Sequence, residues 1–95
     1  MNSVIEAAVA ALQEKVPGGF DGVAKFVLTG EGAVMIDQNG VRAGDEAADV
    51  TLTADAAVFK AILDGALNPT TAFMTGKLSV DGSIGLAMKL GSALS

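Results

Sequence analysis

The spacing of the apolar residues changes along the chain, and this change limits the possible folds more than any other feature. Residues 3–16 carry apolar side chains at helical spacing and open with Ser3 and Glu6, a capping-box pair. Over residues 25–53 the apolar side chains alternate with polar ones, as in half-buried strands. Helical spacing returns at residues 55–64. The pattern predicts an α+β fold, a mainly antiparallel sheet covered by helices.

The alternating region divides into short strands separated by turn signals. Asn39 and Gly40 give the strongest hairpin signal, because both central residues of a type I′ turn need positive φ. We expect the first four strands to form an antiparallel meander. With the last one they make a sheet of about five strands, at residues 25–29, 33–37, 41–43, 49–53 and 77–81.

Two more helices are predicted after Gly65. Asn68 and Pro69 supply the N-cap and the first position of a short helix that ends at Gly76. Residues 83–94 form the last helix, capped by Ser83 or Asp81. The length of 95 residues fits a single domain over residues 1–95.

Both late helices are more apolar than packing on a sheet requires. Residues 83–91 contain one charge, Lys89, and apolar side chains occur on two sides of that helix. Ala72, Phe73 and Met74 are consecutive, so they cannot all face one direction. Either these helices are buried on both sides or pair with a second subunit, or one side closes over an apolar ligand. With aromatic residues at only 4% of the chain, the combination favours a cavity.

Side chains that commonly carry catalysis are scarce. The chain has no Cys and no His, which excludes disulfides, Ser/His/Asp and Cys/His arrangements, and the usual zinc ligands. The acidic pairs among Asp45, Glu46 and Asp49 fall in a predicted loop, where a solvated turn is the ordinary interpretation. Leu78 follows Lys77, so the pattern of a phosphate-binding loop fails. We therefore expect no enzyme activity, no cofactor and no metal.

The charge and hydropathy of the chain limit the classes of partner and the cellular location that we expect. The net charge is −5 and the six cations are scattered, which disfavours nucleic acid. The longest charge-free run, residues 65–76, is far shorter than the ~20 apolar residues of a membrane span. Glu6 and Glu14 fall where a signal peptide would have an uninterrupted apolar region, so we expect no signal peptide here. We expect a cytoplasmic protein with at most transient membrane contact.

The run from Phe73 to Leu90 resembles the C-terminal signature of the sterol-carrier-protein type-two lipid-transfer domain family. Here that signature consists of Gly76-Lys77-Leu78, an alternating strand, Gly82 and the helical run from Leu86 to Leu90. Residues 48–53 with the helix after them, and the hairpin before them, are also similar. The resemblance extends in order over roughly residues 20–90.

The resemblance implies a five-stranded sheet with helices on one side, enclosing an apolar tunnel. It further implies binding of fatty acids, acyl-CoA, sterols or phospholipids, without catalysis by the domain itself. The residues that it places at the tunnel are Phe59, Leu63, Phe73, Met74, Leu78, Ile84 and Met88, with contributions from the sheet residues Phe26, Val34 and Ile36.

Two features set this chain apart within that family. Its last residues, Ala93-Leu94-Ser95, are not a peroxisomal tripeptide, and the chain is acidic. It is similar to a stand-alone prokaryotic member, which favours acyl chains or another lipid over sterols. The first hypothesis is lipid binding, with or without transfer. The alternative is a non-catalytic interaction domain whose last helix packs on a partner or, as a homodimer, on a second copy.

Overall fold

The computed structural model describes residues 3–94, which form four helices and a five-stranded sheet. The helices are α1 (Ser3–Lys15), α2 (Ala56–Leu63), α3 (Pro69–Met74) and α4 (Ile84–Leu94). The strands are β1 (Ala24–Leu28), β2 (Gly32–Asp37), β3 (Gly40–Ala43), β4 (Val50–Ala54) and β5 (Ser79–Gly82). The predicted α+β class is confirmed. None of the helices in this range is long and apolar enough to cross a membrane.

The strand order is β3-β2-β1-β4-β5, and it corrects one sequence-based expectation. The first three strands form the predicted antiparallel meander, but β4 does not continue it. Instead β4 lies parallel to β1, with Ala24 opposite Val50 and Leu28 opposite Ala54. The expectation was wrong because alternating hydropathy reports which face of a strand is buried, not which strand lies beside it.

The loop over residues 44–49 makes this crossing possible, because it passes over the sheet face opposite to the helices. Lys25 and Met35 are cross-strand neighbours on that face. Lys25 Nζ lies 2.8 Å from Asp45 Oδ1, and Met35 is fully buried. Asp45 and Glu46 are exposed loop residues, as expected, and each joins an ion pair.

The helix-covered face of the sheet holds the main core. Phe26 on β1 meets Phe59 on α2 edge to face, with ring centroids 4.6 Å apart, a geometry that adds about 0.5–1.5 kcal/mol to the area they bury. Buried side chains from helices and strands complete this core, among them Leu12, Leu28, Val34, Ile36, Val50, Ile62, Leu90 and Leu94.

Side-chain caps fix where the helices begin. Asn68 Oδ1 accepts hydrogen bonds from the amides of Thr70 (2.8 Å) and Thr71 (3.3 Å), and Pro69 is the first residue of α3, both as predicted. Ser83, rather than Asp81, caps α4, because its Oγ accepts from the Leu86 amide. Ser3 is already part of α1, whereas the capping-box pattern places it just before the helix.

Candidate apolar binding cleft

An apolar cleft of about 520 Å³ lies between α3, α4 and the β1-β4-β5 part of the sheet. This volume is within the range of about 300–1,000 Å³ typical of small-molecule sites. The lining residues are Phe26, Leu52, Ile62, Asn68, Pro69, Thr70, Phe73, Met74, Leu78, Val80, Ile84, Ala87, Met88, Gly91, Ser92 and Leu94.

Strand register builds the floor of the cleft. Phe26 is opposite Leu52, and Leu52 is opposite Val80, so the three side chains form one row across β1, β4 and β5. Phe26 and Leu52 are buried. The parallel β1–β4 pairing, which the sequence did not predict, therefore creates the floor.

The two late helices form the walls. The two helices come close together near the beginning of α3 and the end of α4. A methyl group added at Gly91 would lie only 3.6 Å from Pro69 Cβ. The polar lining residues Asn68, Thr70 and Ser92 are the sequence neighbours of this contact pair. They form the polar end of the cleft.

The opposite parts of α3 and α4 carry exposed apolar side chains. Phe73 is 48% exposed, Met74 79%, Ile84 53% and Met88 70%, and within residues 3–94 these are the large hydrophobic side chains classed as exposed. All four line the cleft, and together they are called the apolar rim. Scattered exposed apolar residues are ordinary on a protein surface, but their concentration around one opening is typical of a binding site.

The cleft has little electrostatic character of its own. None of its lining residues is Asp, Glu, Lys or Arg. The shifted pKa values lie elsewhere: the hydrogen bond from Arg42 lowers the pKa of Asp37, and the same bond raises the pKa of Arg42. Among residues 3–94, no group of three or more acidic, His or Cys side chains is arranged to hold a metal ion. The cleft can thus hold an apolar group by burial and a polar group by neutral hydrogen bonds.

Six of the ten residues proposed from the sequence line this cleft: Phe26, Phe73, Met74, Leu78, Ile84 and Met88. Val34 and Ile36 are fully buried in the core, and Phe59 is buried against Phe26. Leu63 packs at the core margin. These four line no part of the cleft described here. The tunnel implied by the resemblance stays a prediction, because the apolar space described here opens to solvent at its rim.

Sequence reasoning missed several lining residues. Leu52 and Val80 alternate correctly in their strands, but their place beside Phe26 depends on an unpredicted pairing. Ile62 and Leu94 lie on predicted apolar stripes, where core and cleft positions look alike. The polar end had its signals in the sequence as well: Asn68 and Thr70 beside Pro69, and Ser92 as a polar residue in an apolar helix.

Known proteins of similar sequence include some that are several times longer than this chain. Hydroxysteroid dehydrogenase-like protein 2 of Xenopus laevis is 33% identical over 98 residues, which cover 95% of this chain and 24% of that protein. The chain thus spans about a quarter or less of the length of the curated relatives it matches.

Two solved structures extend the comparison. The Aedes aegypti sterol carrier protein-2 complex with palmitate has a TM-score of 0.80 at 24% identity, with 100% of this chain and 97% of that chain covered. Palmitated SCP2L2, also from Aedes aegypti, has a TM-score of 0.68 at 28% identity, with 99% and 93% covered. Residues 5–95 match the model of the SCP-2 sterol transfer family. Because this match covers nearly the whole chain, the protein belongs to the SCP-2 sterol transfer family.

Proposed function

We propose that this protein binds a lipid by enclosing its hydrocarbon chain in the apolar cleft, without catalysing a reaction. One observation carries the proposal: the exposed large apolar side chains of the described chain surround a single cleft with an apolar floor. Family membership and the palmitated relative support it.

Hydrophobic burial would supply the affinity. Each buried methylene contributes about 0.8 kcal/mol, and the cleft offers Leu52, Leu78 and Val80 as apolar side chains against which a hydrocarbon chain can pack. A bound chain would also cover part of the apolar rim, which water otherwise contacts. Affinity should therefore rise with chain length until the cleft is full.

Charged substitutions at the rim test this proposal. Phe73→Asp and Met88→Asp each place a carboxylate where the lipid chain would pass, and they should weaken uptake of a fluorescent fatty acid at least about tenfold, or about 1.4 kcal/mol. Neither side chain is part of the buried core, so the fold should survive, which circular dichroism would check. Native mass spectrometry of the purified wild type, with extraction of bound molecules, identifies the ligand class.

The matched control is Ala57→Asp, which adds the same charge to an exposed position of α2 outside the cleft lining. It should bind like the wild type. Equal binding by all three folded variants would contradict the assignment of the cleft, and no uptake by the wild type would contradict lipid binding itself.

A second candidate function is association with a partner protein or a second copy through the apolar rim. The exposure of Met74 (79%) and Met88 (70%) favours it, because more of these side chains is in water than a surface without a partner usually leaves. Light scattering over a range of concentrations tests self-association. A dimer that dissociates in Met88→Asp would support this candidate, and a monomer at every concentration would count against a second copy.

A further inference from the structure

The sulfur chemistry of this chain belongs entirely to methionine, because the sequence has four Met and no Cys. Oxidation of a methionine to its sulfoxide converts a flexible apolar side chain into a polar one. Met35, Met74 and Met88 lie within the described residues, and Met1 lies outside them. The consequence of contact with a peroxide therefore depends on where these side chains lie in the fold.

Two of the three described methionines are exposed, and both lie at the cleft. Met74 is the last residue of α3 and Met88 lies on α4, so each belongs to a different wall. They are the two most exposed members of the apolar rim. A small oxidant dissolved in water can therefore reach both side chains without any opening of the fold.

Met35 has the opposite surroundings. It lies on β2 and is fully buried. A methyl group added at Gly44 would lie 3.1 Å from Met35 Cγ, so the loop over residues 44–49 packs directly on this side chain. The Gly44 amide donates a hydrogen bond of 3.1 Å to the Ala33 carbonyl oxygen, which holds the loop in place. Met35 is thus protected while the protein is folded, and it provides an internal reference for oxidation at the cleft.

We propose that Met74 and Met88 are oxidation sites through which a peroxide lowers the affinity of the cleft for lipid. The thioether sulfur takes one oxygen atom from hydrogen peroxide: the O–O bond breaks, the S–O bond forms, the sulfur loses two electrons and water leaves. A hydrocarbon chain that covers the rim must then displace water from a polar sulfoxide, which is unfavourable. This proposal rests on the proposed lipid-binding function and adds a modification that regulates the same site.

Bound lipid and oxidation should oppose each other. A hydrocarbon chain that covers the rim keeps dissolved peroxide away from both sulfur atoms, so loaded protein should be oxidised several-fold more slowly at Met74 and Met88. Peptide mapping by mass spectrometry, at timed intervals with and without saturating dodecanoate, measures the two rates. Unchanged rates at both residues, in protein that binds dodecanoate, would overturn the claim that the lipid covers them.

Calorimetric titration with dodecanoate, below its aggregation concentration, measures the effect on affinity. Untreated protein is compared with protein in which peroxide, since removed, has converted Met74 and Met88 but not Met35, with circular dichroism to check the fold. The oxidised protein should bind at least about fivefold more weakly. Methionine sulfoxide reductases with a dithiol, which supplies two electrons and two protons and releases the oxygen as water, should restore the affinity. Equal binding would overturn the proposal, whereas no binding by the untreated protein would overturn lipid binding itself.

Two variants assign the effect to the rim. The double variant Met74→Leu/Met88→Leu keeps apolar side chains of similar volume there but removes both sulfur atoms. Met35→Leu removes the buried sulfur instead. Each variant is titrated before and after the same peroxide treatment, so that only the change within one variant is compared. The affinity of the double variant should not change on treatment, and that of Met35→Leu should fall as in the wild type. An equal fall in all three proteins would assign the effect to oxidation elsewhere, Met1 included, and overturn the role of the rim.

Discussion

At the scale of single residues, Asp37 is the buried charged residue of the described chain. Its hydrogen-bond partners stabilise the ionised carboxylate. Arg42 lies 2.9 Å from Asp37 Oδ2, and the Asn39 amide donates to Oδ1. The hydrogen bond from Arg42 is the main cause that lowers the pKa of Asp37, followed by the bond from Asn39. Together these contacts hold the turn and the two strands of the β2–β3 hairpin to each other.

This lowered pKa predicts a pH-dependent stability. A carboxylate with a depressed folded-state pKa stabilises the fold above its unfolded pKa of about 3.9, and the contribution is lost as pH falls through the folded value. Asp37→Asn should therefore unfold at lower urea concentration than the wild type at neutral pH. Below the folded-state pKa the difference should shrink, which urea titrations across the acidic range would show. A constant difference at every pH would assign the loss to packing instead.

The sequence marks a cleft-lining residue where a side chain exceeds what its own helix needs for packing. Phe73, Met74, Ile84 and Met88 exceeded the apolar stripe that their helices need, and they line the cleft. Val34 and Ile36 looked the same as Leu52, because all three alternate correctly on strands. Only the strand order distinguishes them. Leu52 is on β4, which pairs with β5 under the cleft, whereas Val34 and Ile36 are on β2, two strands away from β4.

At the scale of elements, α3 is short and depends on its cap more than the longer helices do. Asn68 satisfies two of its first amides, and the helix then carries Phe73 and Met74 to the rim. Asp55 caps α2 in the same way through the Val58 amide, but α2 contributes only Ile62 to the cleft. Removing each cap in turn therefore distinguishes a general loss of helix stability from a change in the cleft wall that α3 forms.

The corresponding prediction compares Asn68→Ala with Asp55→Ala. Each should cost about 1 kcal/mol of unfolding free energy, the usual value of a lost N-cap. Binding of dodecanoate should fall several-fold in Asn68→Ala, since α3 then holds the rim less firmly, and it should change little in Asp55→Ala. Urea unfolding and calorimetry measure the two effects. Equal losses of binding would show that global stability, rather than α3, controls the cleft.

Elements were predicted better than their arrangement. Caps and turn residues are local signals, so Asn68, Pro69 and Gly76 marked α3 correctly from the sequence. The crossing of residues 44–49 depends on non-local contacts such as the Lys25–Asp45 ion pair and the burial of Met35. No periodicity encodes such contacts, and the position of β4 was therefore mispredicted.

At the scale of the whole molecule, the apolar rim and the acidic charge have opposite effects at a lipid surface. Phe73, Met74, Ile84 and Met88 favour contact with an uncharged interface, while the net charge of −5 opposes approach to an anionic one. If the cleft exchanges lipid with membranes, the composition of the vesicle should control the rate.

Transfer of a fluorescent fatty acid from loaded protein to vesicles tests this balance. Transfer to phosphatidylcholine vesicles should be several-fold faster than transfer to vesicles rich in phosphatidylserine, because like charges reduce the rate of productive encounters. Added salt shortens the screening length to about 3 Å at 1 M and should remove most of the difference.

Met74→Ser removes apolar surface from the rim without changing charge, so it should slow transfer to both vesicle types equally. Faster transfer to the anionic vesicles would instead identify a local cationic surface, with Lys77 beside Leu78 as the residue to change first.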